Sequence, residues 1–364
     1  MPAVYAYADV QHVHLELTSR CNAACPQCPR NLSGGAPNPD LPLTELTLDE
    51  IRAIFPVALV RRLKSLYLCG NYGDPMVARD VLPVLAWLRS ENPRMGLGIH
   101  TNGSGRDAAW WRELAGLVTY CRFGIDGLAD TNHLYRRGTS WDRIVDGARA
   151  FIAAGGNAEW DYILFEHNEH QVDEAAALAK ELGFRKFFVK RTSRFYDART
   201  GKNAPRRQVV DRLGQAVYTI APPKDPARRN AAAAALSVAA PGADEYRRYL
   251  ETATIRCRVT ASPKIYVSAE ALVLPCCFLA NLYPPNRPPR SAPAWRLIEE
   301  LPEGKRSLDA RVHPIGEIID GPLFQRMVPD GWRPGRLDGE RLEPCARVCG
   351  EHDLHGAQYA ASLI

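Results

Sequence analysis

From about residue 12 to residue 192, short β-branched or aromatic runs alternate with amphipathic stretches. The strand-like runs are HVHLEL (12–17), SLYLCG (65–70), GLGIHT (96–101), YCRFGI (120–125), EWDYILF (159–165) and KFFVK (186–190). Between them the spacing of apolar residues changes to the helical period. LTLDEIRAIF begins with Thr47 as an N-cap and places Asp49 and Glu50 in its first turn, where acids suit the helix dipole. VARDVLPVLAWLRS, WDRIVDGARAFIAAGG and EHQVDEAAALAKELG follow, the last two ending on glycine as helix C-termini prefer. Six such strand–helix repeats predict an α/β fold with a parallel sheet, curved into a partial (β/α)6 barrel.

Residues 196–250 break the rhythm with stretches rich in Pro, Ala, Arg and Asp. They predict a linker carrying one helix, either a solvated connector or a lid over the barrel mouth. From 251 onward the chain carries cysteines and a hairpin-like run, KIYVSAEALVLPCCF, then a proline- and arginine-rich surface connection, PPNRPPRSAPAW. The expected division is 1–195 barrel, 196–250 linker and 251–364 cysteine-bearing domain.

Composition narrows the class. A length of 364 residues with 46% hydrophobic and 24% charged positions supports a sizeable core without disulfides. A net charge of +5 over this length gives no reason to expect nucleic acid as a partner. No apolar run is long enough to span a bilayer, and the first residues show no signal-peptide pattern, so a cytoplasmic location is expected. There thiols stay reduced, and the ten cysteines read as metal ligands rather than disulfides.

In parallel α/β folds the chemistry sits at the C-terminal ends of the strands. Here each polar cluster falls at such an end: TSRCNAACPQC, GNYGDP, TNG, DG, EHN and RTSR. The first contains Cys21, Cys25 and Cys28 as C-x3-C-x2-C. Three thiolates so spaced can hold three irons of a cubane and leave the fourth open to a chelating small molecule, unlike the four-cysteine clusters of electron carriers. A zinc site would want a fourth Cys or His at conventional spacing, and none is nearby. His14, upstream in the strand, reads as an ordinary barrel residue.

This motif after the first strand resembles the radical S-adenosylmethionine (radical SAM) superfamily, and other motifs agree over residues 12–192. The resemblance implies that Cys21, Cys25 and Cys28 bind a [4Fe–4S] cluster whose open iron takes the amino and carboxylate groups of SAM. Reductive cleavage then yields a 5'-deoxyadenosyl radical that abstracts hydrogen from a substrate. Gly73, Asp74 and Pro75 resemble the family's Gly-Gly-Glu-Pro motif at the SAM ammonium, with Asp for Glu and Tyr72 at the first glycine. Asn102 and Asp126 stand at the third and fourth strand ends, Asp126 as a substrate or SAM contact. Asn168 would meet SAM or cap a helix. Arg191, with Arg194 nearby, would clamp a carboxylate or an anionic substrate. NG and DG are also plain turn signals, and the arginines can be solvated charges.

Of the other cysteines, Cys69 and Cys121 lie in strands and read as buried small residues. Cys257, Cys276, Cys345 and Cys349 supply four thiolates, with Cys277 spare. They resemble the auxiliary-cluster extensions of the superfamily, called SPASM and twitch domains. With five cysteines the resemblance implies a small C-terminal twitch-like iron–sulfur domain with one auxiliary [4Fe–4S] cluster. A structural zinc on the same four is the alternative.

An auxiliary cluster implies an oxidoreductase that accepts an electron from a substrate radical, or one that ligates the substrate. Relatives with one such cluster oxidise a sugar or cyclitol hydroxyl, and relatives with fuller extensions modify ribosomal peptides. Only about twenty residues precede Cys21, without room for a leader-recognition domain, so a small polar molecule such as an aminosugar is the expected substrate. The alternatives are a peptide maturase and a non-catalytic iron–sulfur or zinc protein. No cobalamin-binding domain is visible, which disfavours methyl transfer. The resemblance implies a reduced flavodoxin or ferredoxin as electron donor, and nothing points to a membrane.

Overall fold

All six β-branched or aromatic runs form strands: β1 (His12–Leu15), β2 (Ser65–Leu68), β3 (Gly96–Thr101), β4 (Tyr120–Gly124), β5 (Ala158–Ile163) and β6 (Lys186–Lys190). The computed structural model describes residues 4–197, 202–203, 206–239, 242–285, 287–288, 290–352 and 356–364. Several strands stop before the sequence pattern does, because the last residues turn into the loops that carry the polar clusters. The helix Leu48–Ile54 starts as expected: the Glu50 N–H donates to Thr47 Oγ1 at 3.2 Å while the Glu50 carboxylate accepts the Thr47 N–H at 2.8 Å. Val172–Leu182 ends at Gly183, in the left-handed conformation at φ 90°. Ala108–Leu117, capped by Asp107, was not anticipated, since DAAWWRELAGL carries two tryptophans and reads ambiguously.

The chain divides into two compact units. The first holds Met1–Cys21, Pro39–Ile99 and Glu251–Glu351; the second holds Asn22–Asn38, His100–Leu250 and His352–Ile364. These units do not coincide with the boundaries at 195 and 250 expected from composition, and neither unit is continuous in sequence.

In the first unit β1 pairs parallel with β2, and β2 with β3, in the register Val13↔Leu66↔Leu97. The other edge of β1 takes the strand Lys264–Val267, also parallel, which Val273–Leu274 extends as an antiparallel hairpin. The hairpin was expected, but its pairing with β1 was not. Val13, Leu15, Leu66, Leu68, Leu97 and Ile99 are fully buried, as continuous apolar runs in a parallel sheet should be.

In the second unit β4, β5 and β6 run parallel, with Phe123, Trp160 and Phe187 in register. These rings build an aromatic core: Trp160 and Phe187 lie 5.5 Å apart, and Trp111 packs on Phe123 at 5.3 Å. The strand Tyr359–Ser362 adds antiparallel to β6. The expected linker holds more structure than one helix. Arg207–Val210 and Ala216–Ile220 form an antiparallel hairpin, and the helices Ala231–Ala239 and Ala243–Thr252 follow. Residues 198–201, 204–205 and 240–241 of that stretch lie outside the described residues. Among the described residues no helix is long and apolar enough to cross a membrane.

Two helical glycines separate packing from propensity. A Cβ on Gly147 would sit 2.6 Å from Nε1 of Trp111, whose N–H donates to the Gly105 carbonyl at 3.0 Å. Gly116 has nothing within 4 Å. Gly116→Ala is expected to stabilise the chain by roughly 0.5–1 kcal/mol, the ordinary helical gain. Gly147→Ala should destabilise it by about 1–3 kcal/mol through overpacking. Urea-unfolding midpoints of the two variants will read the opposite signs.

Candidate active site

In the first unit the candidate site is built where β1 and β2 end. After β2 the chain turns through Cys69-Gly70-Asn71-Tyr72-Gly73-Asp74-Pro75, and this turn lies against the segment leaving β1. Gly73 comes so close that a Cβ there would fall 1.7 Å from the Thr18 carbonyl oxygen, so no side chain is possible. The Asp74 N–H donates to the Arg20 carbonyl at 2.9 Å. The Asp74 carboxylate accepts the Met76 N–H at 3.0 Å and caps the short Pro75–Val77 helix, which places Pro75 at its first position.

Beneath this turn lies a residue that sequence reasoning passed over. Glu16, 2% exposed, accepts the Tyr72 and Gly73 N–H groups on Oε1 at 2.7 and 2.8 Å, and Tyr266 donates to its other oxygen. Burial pushes its carboxyl up to about 6, against the hydrogen bonds that favour the charged form. The available signal was an acid inside the apolar run HVHLEL. His14 is held near 4 by burial, so its ring is neutral and its Nε2–H donates to the Cys69 carbonyl at 2.6 Å.

The second unit holds Asn22–Asn38, with Cys25 and Cys28. Backbone and side-chain bonds pin this loop. The Ala24 N–H donates to the Arg137 carbonyl at 2.8 Å, the Cys28 N–H to the Cys25 carbonyl at 3.0 Å, and Asn31 Nδ2 to the same carbonyl at 3.1 Å. Asn102, 3% exposed, donates to Asn22 Oδ1 at 2.8 Å and accepts the Ser104 N–H at 2.9 Å. It braces the cysteine loop, as the TNG turn at the end of β3 allows.

Asp126 is fully buried. Its carboxylate takes Arg136 Nε at 2.6 Å on one oxygen and the Ile163 N–H at 2.6 Å on the other. Arg136 then reaches Cys25, with Nη1 3.9 Å from the sulfur. Burial raises the Cys25 thiol to about 11, and the guanidinium opposes the rise. A cation there favours the thiolate that metal ligation requires. Asp126 thus acts through Arg136, and no sequence pattern in NHLYRRG marked Arg136. Asn168, also fully buried, gives both amide hydrogens to the Asp126 and Ile163 carbonyls at 2.9 Å and accepts the Phe165 N–H at 2.7 Å. It ties the ends of β4 and β5 together, where the sequence suggested a SAM contact or a helix cap.

Several buried polar atoms of this unit have no hydrogen-bond partner among the described residues: both side-chain atoms of Gln27, Nε of Arg191 and Nε2 of His167. Arg194 contacts the Gln27 carbonyl and the Tyr135 hydroxyl, each at 3.4 Å.

The remaining predicted ligands lie in the first unit. Burial raises the thiols of Cys257 to about 12 and Cys276 to about 11, and that of Cys345 well above its usual value. Cys257 feels Cys276 and Cys349; Cys276 feels Cys349; Cys345 feels all three. Every pair of the four is thus within electrostatic reach. Cys277 instead feels Cys276, Cys69 and Lys264. Among the described residues no three Cys, His, Asp or Glu side chains converge as a single metal ion would need.

Two predictions follow from the buried carboxylates. With its carboxyl raised in the folded chain, Glu16 favours folding when protonated, and that contribution is lost as pH rises from about 4.5 to about 6. Relative to Glu16→Gln, the wild type should lose about 2 kcal/mol between pH 4.5 and 7.5, read from urea midpoints. Arg136→Leu leaves the Asp126 charge buried and unpaired, which should cost about 3–5 kcal/mol. Adding Asp126→Asn should recover part of that loss, and a double-mutant cycle on the metal-free chain measures it.

The radical SAM superfamily model matches residues 15–179. Among solved structures the chain is similar to Streptococcus suis SuiB bound to the precursor peptide SuiA, at 14% identity and a TM-score of 0.50, covering 93% of this chain and 76% of that one. SuiB bound to S-adenosylmethionine is 15% identical with a TM-score of 0.49, over 77% of this chain and 62% of that one. BtrN in complex with AdoMet and 2-DOIA is 11% identical with a TM-score of 0.37, over 73% of each chain. At such identities the SuiB likeness speaks for the fold alone, and this chain spans only 62% of the first SuiB chain. No curated protein matches the sequence. Residues 15–179 thus match the radical SAM superfamily model on an α/β fold, and that family implies a SAM-binding [4Fe–4S] cluster.

Proposed function

We propose that this chain is a radical SAM oxidoreductase that removes two electrons from a small polar substrate such as an aminosugar or cyclitol. The observation that carries the oxidation is the second thiol set, Cys257, Cys276, Cys345 and Cys349, mutually in reach within one unit. Cys21, Cys25 and Cys28 would hold the SAM-binding cluster, and these four an auxiliary [4Fe–4S] cluster. The donor sets fit. Arg136 favours the Cys25 thiolate, and four thiols within electrostatic reach of one another are a ligand set that binding would deprotonate.

When bound, the first cluster supplies the electron that cleaves SAM into the hydrogen-abstracting radical, and the second supplies an acceptor for the electron left on substrate. The chain's own residues then bind and orient. The backbone of Gly73 and the carboxylate of Asp74 would receive the SAM ammonium, with Pro75 fixing the turn and Glu16 holding its amides. Asp126 positions Arg136, Asn102 braces the cysteine loop, and Asn168 ties the ends of β4 and β5 together. A hydroxyl-rich substrate is supported by Gln27, Arg191 and His167, whose buried polar atoms are the kind that hydroxyl groups would satisfy. Arg191 would then contact the substrate. A reduced flavodoxin or ferredoxin would supply electrons.

A peptide substrate is the second reading, since SuiB, with which this chain shares its fold, has been seen bound to its precursor peptide.

Anaerobic reconstitution tests both clusters. The wild type should carry about eight irons, and a Cys21→Ala, Cys25→Ala, Cys28→Ala variant about four. Only the wild type should release 5'-deoxyadenosine from SAM with dithionite. With SAM at saturating concentration, Cys345→Ala should still release the nucleoside but give no oxidised product from a panel of aminosugars and cyclitols. Zinc in place of iron with no nucleoside would overturn the reading; turnover of a peptide but of no sugar would favour the second.

A further inference from the structure

Tyr72 stands where the superfamily motif has its first glycine, and its side chain is not idle. It is 6% exposed, its hydroxyl donates to Asn281 Oδ1 at 3.1 Å, and the hydroxyl oxygen accepts the Tyr283 N–H at 3.0 Å. One residue earlier, Asn71 Nδ2 donates to the Cys277 carbonyl at 2.7 Å. Three bonds therefore join the turn after β2 to residues 277–283, which begin directly after Cys276. That segment forms a turn and then irregular chain, with no ladder of its own to order it. It starts from Cys276 and is held by Asn71 and Tyr72 on one side, and by Trp295 Nε1, which donates to the Leu282 carbonyl at 2.8 Å, and Glu270, which accepts the Tyr283 hydroxyl at 2.6 Å, on the other. On its other side the turn is held by Glu16, which takes the Tyr72 and Gly73 amides.

We infer that residues 277–283 brace the SAM-binding turn, so that filling the auxiliary cluster site and binding SAM favour each other. The inference rests on the proposed reading of that turn and of the four thiols. An anchor at Cys276 that orders the segment lowers the cost of ordering the turn, and by linkage the turn returns the same factor. A chain lacking its auxiliary cluster would hold SAM weakly. It would then seldom start radical chemistry without an acceptor for the second electron. Tyr72 and Asn71 are positioning residues in this arrangement, because they act on SAM through the backbone of Gly73 and Asp74.

The test uses the full chain reconstituted anaerobically, with SAM affinity measured by equilibrium dialysis of labelled SAM. Tyr72→Phe keeps the ring and removes the hydroxyl; Cys345→Ala removes an auxiliary ligand. Each is expected to weaken SAM about ten-fold, and the double variant also about ten-fold rather than a hundred-fold, since both break one coupling. In the metal-free chain, Tyr72→Phe should speed hydrogen exchange in residues 70–76 and 277–283 while the amides of β1 and β2 stay protected, which general destabilisation would not do. Unchanged SAM affinity in Tyr72→Phe, or a multiplicative hundred-fold loss in the double variant, would overturn the coupling. Should Cys345→Ala not fold, Tyr72→Phe and the exchange pattern decide alone. A wild type that binds no SAM sinks the proposed function along with this inference, whereas a wild type that binds SAM beside indifferent variants sinks the coupling only.

Discussion

A parallel strand that stops leaves backbone N–H groups without a ladder partner, and buried N–H groups must be satisfied. Each unit answers this with a carboxylate at the end of one strand that takes the amides of the next. Glu16, after β1, accepts the Tyr72 and Gly73 N–H groups that follow β2. Asp126, after β4, accepts the Ile163 N–H at the end of β5. The two differ in how the charge is compensated. Asp126 has Arg136, a full countercharge, whereas Glu16 relies on amides and the Tyr266 hydroxyl and stays raised to about 6. Both elements that the proposed chemistry needs, the glycine turn and the Arg136 guanidinium, are held through these carboxylates.

The same burial that makes the carboxylates effective works against the thiols. Cys25, Cys257, Cys276 and Cys345 are all raised by it, so in the bare chain they are neutral and poor ligands. Assembly of a cluster must overcome that cost by releasing protons. At Cys25 the chain supplies a cation to help. At Cys257, Cys276 and Cys345 no such cation is among the causes, and the neighbouring thiols add to the rise that burial sets.

Much of the frame was legible because burial on both faces forces continuous apolar strands and because helix ends announce themselves chemically. The six strands, the Thr47 cap and the Gly183 terminus all belong to this class. What could not be read were side-chain partnerships between residues far apart in sequence. Asp126 and Asn168 were expected as ligand contacts from their place at strand ends. Their partners, Arg136 and the Ile163 and Phe165 backbone, are set by how the strand ends face one another, which no local pattern encodes. Arg136 and Glu16 escaped notice for the same reason.

The division of the chain shows the limit of composition most plainly. A change of texture near residue 250 suggests an appended domain, yet Lys264–Val267 lies beside β1 in one sheet and Tyr266 reaches Glu16 beneath the turn after β2. A segment that supplies a strand neighbour and a buried hydrogen-bond donor cannot be an independent module. Without it β1 would present an open edge, and the Glu16 carboxylate would lose the side chain that keeps it tolerable in the core. The cysteines of that segment and the glycine turn therefore share one folding unit, and the reason is in the backbone: Lys264–Val267, whose hairpin partner Val273–Leu274 runs into Cys276, is hydrogen-bonded to the strand that leads toward Cys21.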